Sequence, residues 1–161
     1  RSDMSYTNAD GLYILTDEDQ GAVKDQGSAA LFARKTMIVD IPDATLIPSS
    51  VATPAPNDPY IPAGAYITNA WLVVETAFTS AGSATLTIGT YDSAASAIDA
   101  DGIDATVAKA ALAANLAVAC DGAQVGGTAT VGAANAYVQM IYGTAVFTAG
   151  KGKLYIEYVE V

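Results

Sequence analysis

The chain has no histidine, which removes the Ser/His/Asp and Cys/His nucleophile arrangements, histidine-bearing zinc sites and imidazole proton shuttles. Cysteine is nearly absent as well. Cys120 has no partner for an internal disulfide, which fits synthesis in a reducing compartment, and it reads as a small buried apolar side chain. Basic residues are scarce: 7 stand against 17 acidic ones, a net charge of -10. The field of such a molecule repels phosphate backbones and anionic membranes, so neither a nucleic-acid nor a membrane partner is expected. The most alanine-rich run, "VAKAALAANLAVAC", is broken by Lys109 and Asn115 and is shorter than the ~18 apolar residues of a membrane span. Residues 1–20 contain "TDED" without a basic start and an apolar core, so no secretory signal is expected. A glycosidase needs only two carboxylates, but the sequence has one lone Trp71 and no cluster of aromatics with acids to mark a sugar cleft.

What is there is strand-forming. The 161 residues fit one domain that buries roughly 70% of its unfolded surface. Residues 1–35 are polar and hold no apolar period, and they read as an N-terminal arm with a short helical turn at "SAALFAR" capped by Ser28. Residues 36–161 read as a β-sandwich domain. "TMIVDI" alternates, with Met37, Val39 and Ile41 on one face. All six prolines then fall between Pro42 and Pro62, a stiff surface connection. "IPAGAYITNAWLVVETAF" reads as a long strand bulged near Asn69. "SATLTIGTY" puts Ala84, Leu86 and Ile88 opposite Thr85 and Thr87, and the pair is expected to form a hairpin across "TSAG". The spacing of Val107, Ala111, Leu112 and Leu116 permits a short helix from Asp104 to about Leu116 with Asp104 as N-cap. "NAYVQMIYG" and "TAVFT" resume the strand pattern. "AGKG" is read as the turn of a closing hairpin into "KLYIEYVEV", whose Leu154, Ile156 and Tyr158 share a face. Six to eight strands without βαβ alternation predict an all-β fold, an antiparallel β-sandwich with jelly-roll-like connections.

The sharpest chemical motif is "DADGIDA", which sets Asp99, Asp101 and Asp104 around Gly102 in partial imitation of a calcium loop. The closing bidentate glutamate is missing, since the twelfth position from Asp99 is Ala110. A solvated loop with a helix cap is favoured over a cation site. The glycines of "DGAQVGGTATVG" lack a Gly-Lys-Ser/Thr ending and read as turns and bulges. No catalytic, metal or cofactor-binding residue is assigned, and a non-enzymatic protein without a cofactor is expected.

Several segments taken in order, "TNADGLYILTDEDQG", "IPAGAYITNAWLVVETAFTSAGSATLTIGTY", "DGIDA", "GGTATV" and "TAVFTAGKGKLYIEY", resemble a family of small virion structural proteins of tailed bacteriophages. Members of this family look like capsid decoration (cement) proteins. The resemblance implies a protein made in the host cytoplasm that binds the outside of the head, braces neighbouring major capsid subunits and assembles as a trimer. It points to the "NADGL" segment, with Asn8, Asp10 and Leu12, and to the proline-rich connection as capsid contacts. Four of the seven basic residues lie in the first 35 positions and none between Thr36 and Ala108. Lys24, Arg34 and Lys35 therefore join the contact candidates, with the acidic stretch facing solvent. The alternatives are a tail, baseplate or fibre protein, and a carbohydrate-binding sandwich using aromatics around Trp71, Tyr66 or Tyr91.

Overall fold

The computed structural model describes residues 34–160 and, before them, the backbone of two short strands, β1 (Tyr6–Thr7) and β2 (Tyr13–Ile14). The chain divides into two units, Arg1–Ala33 and Arg34–Val161. In the first, β1 and β2 pair antiparallel with Tyr6 opposite Ile14. The helical turn expected at Ser28, and the candidates Asn8, Asp10, Leu12 and Lys24, lie outside the described residues.

The second unit holds β3 (Lys35–Ile41), β4 (Tyr60–Ile61), β5 (Tyr66–Thr79), β6 (Thr85–Tyr91), β7 (Ala97–Ala108), β8 (Leu116–Ala119), β9 (Ala136–Gly143) and β10 (Ala149–Val159). One sheet has the order β3-β10-β5-β8 and the other β4-β9-β6-β7, with antiparallel ladders throughout. This is the expected antiparallel sandwich with jelly-roll-like connections. Among the described residues helix is limited to two 3-10 turns, Ala44–Leu46 and Lys109–Ala111. None is long and apolar enough to cross a membrane.

Register explains the core. Val39, Leu154, Leu72 and Val118 stand opposite one another across all four strands of the first sheet. Leu72 and Leu154 are wholly buried, and Val39 and Val118 pack against the same core. Leu86, Ile88 and Ile61 supply the facing layer from the second sheet. The alternations read from the sequence hold: Met37 and Ile41, Ala84, Leu86 and Ile88, and Leu154 and Ile156 are all buried. The bulge expected near Asn69 is present, for Glu157 faces Asn69 while Tyr158 faces Ile67, and Thr68 is passed over.

Four local expectations fail. Residues 104–116 are not a helix: they end strand β7, pass through the 3-10 turn and start β8. Asp104 lies within β7 and caps no helix. The apolar spacing there resembled a helical period because a buried strand end, a turn and a second strand follow one another closely. Neither expected hairpin forms. "TSAG" carries the chain from β5 in one sheet to β6 in the other, and residues 144–148 do the same between β9 and β10. "TAVFT" is irregular, with Phe147 buried edge-on to Phe78 at 5.3 Å between ring centroids. "AGKG" lies within β10, where Gly150 at φ +147 leaves room for the Phe78 ring. Alternation fixes which face a strand buries, and that is silent on which strand lies beside it.

In the second unit a hairpin joins β6 to β7 through 92–96, where the Asp92 carboxylate accepts from the Ala94 and Ser96 amides at 2.8 and 2.9 Å. In β7, Ile88 pairs with Asp104 and Thr90 with Asp99, so residues 100–103 bulge opposite Gly89 alone. A Cβ on Gly89 would strike the Ala100 carbonyl. Replacing Leu72 with Ala should lower unfolding free energy by about 2 to 5 kcal/mol through the cavity left. Gly89→Ala should also destabilise, by forcing β6 and β7 apart. Urea unfolding of both variants measures this, and a Gly89→Ala chain as stable as the parent would contradict this close approach of the bulge to Gly89.

Candidate functional site

Of the six contact candidates, the structure places two. Arg34 precedes β3 and Lys35 opens it, beside the end of β10. The Arg34 guanidinium lies 3.5 Å from Glu157 and the Lys35 ammonium 2.8 Å from Glu160. The bond to Glu160 raises the Lys35 pKa. These cations sit on the exposed margin of the first sheet, where such pairs contribute little to stability. No local pattern marks this pairing, because the partners are more than 120 residues away in the chain.

On the outer face of the same sheet, Ile38, Tyr155, Trp71 and Ala119 form one row across all four strands. Trp71 and Tyr155 are nearly parallel, 5.8 Å between centroids, and Ile38 is 52% exposed. Beside them Lys153 reaches Glu75 at 3.5 Å and Asp40 at 4.0 Å. Sequence reasoning missed this row. Its signal was there: Ile38, Trp71 and Tyr155 occupy the positions that alternation assigns to solvent. The three aromatics named for a sugar site do not gather, since Trp71 and Tyr66 belong to β5 while Tyr91 is buried on β6 of the other sheet.

The side of the sandwich between β3 and β9 is open. The proline-rich connection passes over it, with Ala44 and Ile47 buried and Leu46 73% exposed. Gaps of about 350 and 220 Å³ share Val39, Pro48, Val138 and Met140 as walls. A third, of about 530 Å³, lies toward Tyr60 and Tyr158.

The "DADGIDA" motif is neither a solvated loop with a helix cap nor a cluster around one point. Asp101 is exposed, Asp99 is half-buried and Asp104 is only 5% exposed. Gly102 is needed because a Cβ would meet Gln124 and Asp99. The bulge is braced by the 122–124 segment, with Gly122 donating to the Ile103 carbonyl and Gln124 to that of Gly102, both at 2.9 Å. The Gln124 side chain then accepts from buried Thr90 at 2.8 Å. The Asp104 carboxyl lies beside the Cys120 thiol, and burial followed by that negative charge pushes the thiol up to about 12. Cys120 is buried, as expected. Among the described residues no three His, Cys, Asp or Glu side chains are placed to hold a metal ion.

Burial raises the pKa of Asp104 against the opposing bond from the Thr106 amide, and burial with Asp101 nearby raises that of Asp99. A carboxyl with a raised folded pKa weakens the fold when ionised. Stability should therefore rise as pH falls from neutrality through these raised values, the gain being complete below the ordinary 3.8. Asp43 works the other way: bonds from Thr45 lower its pKa, so its contribution is lost only as pH falls through that lower value. Urea unfolding at about pH 7 and about pH 5 should show the more acidic sample to be the more stable, with the difference reduced in Asp104→Asn. A chelator should leave the melting temperature unchanged, whereas a drop of several degrees recovered with calcium would restore the cation site.

No family model matches the chain, and no curated protein matches it. Among solved structures, the capsid of Ralstonia phage GP4 is similar in fold, with a TM-score of 0.52 and 15% identity over 80% of this chain and 85% of that one. The chain thus shares its overall β-sandwich architecture with a chain from a phage capsid.

Proposed function

We propose that the chain is a capsid decoration (cement) protein of a tailed bacteriophage, made in the host cytoplasm, that binds the outer head surface as a trimer and braces neighbouring major capsid subunits. The observation that carries this reading is the likeness in fold to the GP4 capsid chain over most of both molecules. The virion-protein resemblance of the sequence, drawn from different features, points the same way. A protein of this kind needs no chemistry of its own, because weak contacts repeated on a lattice give firm attachment.

The exposed margin carrying Arg34 and Lys35 is the proposed capsid contact within the described residues. Their pairing with Glu157 and Glu160 means that reversing their charge would also create repulsion within the sheet, so neutral variants make the cleaner test. The purified chain should co-sediment with expanded, decoration-free heads and ignore purified tails. Arg34→Gln with Lys35→Gln should slow association by about tenfold and flatten its salt dependence, while Asp99→Asn with Asp101→Asn should change neither. Binding to tails but not heads would replace this reading with a tail protein.

A further inference from the structure

β9 is paired with β6 along one side from Tyr137 to Gly143. On its other side only Ala136 and Tyr137 meet a strand, the two-residue β4. Successive residues of an antiparallel strand direct their backbone groups to alternate edges. The Tyr142 amide points to the open side, where it donates to the Pro48 carbonyl at 2.9 Å. Val138 and Met140, in the same phase, therefore direct N–H and C=O to that side too, and no strand among the described residues covers them.

The chain's own prolines keep the edge open. Extended backward from Tyr60 in the register of β4, the residue opposite Val138 would be Pro59, which has no N–H to offer. Before it the chain turns away, with the Asp58 amide bonded to the Ala55 carbonyl at 3.0 Å and the Asp58 carboxylate accepting from the Ala55 amide at 2.8 Å. It passes β9 as a strap instead, held by the Gln139 side chain, which accepts from the Ala52 amide at 3.0 Å and donates to the Ala52 carbonyl at 2.6 Å. Beneath the strap is the gap walled by Val39, Pro48, Val138 and Met140. On its far side β3 pairs only with β10 and has a free edge of its own. The residues around these gaps include Asp40, Asp43 and Asp58 and no lysine or arginine, and the one cation paired with them among the described residues, Lys153, meets Asp40 only at 4.0 Å from the outer face.

We propose that this opening takes an extended segment of a partner protein, which adds to β9 as a strand at Val138–Met140. An apolar side chain of the segment enters the gap, and lysine or arginine residues on either side of it meet the acidic rim. Strand addition uses main-chain bonds for affinity and alternate side-chain pockets for selection, and both are here. The partner is defined by this chemistry alone, so the inference goes beyond the decoration reading and does not depend on it.

The test is backbone amide exchange, by NMR, on the full chain with two nine-residue probe peptides of alternating threonine and valine, one ending in lysine at both termini and one in glutamate. In the free protein the Val138 and Met140 amides should exchange about tenfold faster than those of Gln139 and Ile141, which face β6. The lysine-ended peptide should slow Val138 and Met140 by a similar factor, and the glutamate-ended one should not. Met140→Pro removes one open-side N–H without touching the ladder to β6, and should weaken the lysine-ended peptide about tenfold. If that variant fails to fold, exchange in the unaltered chain decides. Open-side amides as slow as their neighbours in the free protein, or unchanged by the lysine-ended peptide at about 1 mM, overturn the proposal. Equal slowing by both peptides overturns the basic partner.

Discussion

The ladder that β10 makes on both its sides holds the first sheet together. β3 and β5 never touch as neighbours; each is bonded to β10, which lies between them for most of its length. β9 does the same for β4 and β6 in the second sheet. Both bridging strands come late in the chain, so each central ladder joins residues far apart in sequence, and the entropy of closing those loops must be met before the ladders form. The apolar rows that fill the core, such as Val39, Leu154, Leu72 and Val118, exist only once β10 has inserted.

That arrangement explains what was legible in the sequence. Faces were legible, because a two-residue period is a local property: Met37 with Ile41 and Leu154 with Ile156 were readable as inward pairs without any knowledge of neighbours. The bulge at Thr68 was legible because it breaks that period. Pairing was not. Crossing from sheet to sheet through "TSAG" and a tight hairpin through the same residues call for similar small, polar sequences. The helix expected from Asp104 failed for a related reason: Val107 and Leu112 are both buried but belong to a strand and to the turn beyond it. Of the proposed contact residues, Arg34 and Lys35 were legible as charges, whereas their partners Glu157 and Glu160 depend on the β3–β10 register.

Proline and aspartate manage the edges of this sandwich in different ways. On β7, a long outer strand, the 100–103 bulge carries Asp101, follows Asp99 and is covered by the 122–124 segment, devices that discourage another strand from pairing there. Beside β9 the prolines have the opposite effect, ending β4 after two residues and leaving backbone groups under a strap fastened by the Gln139 side chain and the Tyr142 amide. One edge is closed by acid and a bulge, while the other is left unfinished.

Trp71 is the chain's only tryptophan, and it lies against Tyr155 of β10, half-exposed on the outer face of the first sheet. The molecule therefore carries a built-in optical tag at the seam between β5 and its last strand. Its emission responds to insertion of that strand and to anything that settles on the outer face, so assembly of the sheet and occupation of its surface are both visible to a fluorimeter without a label.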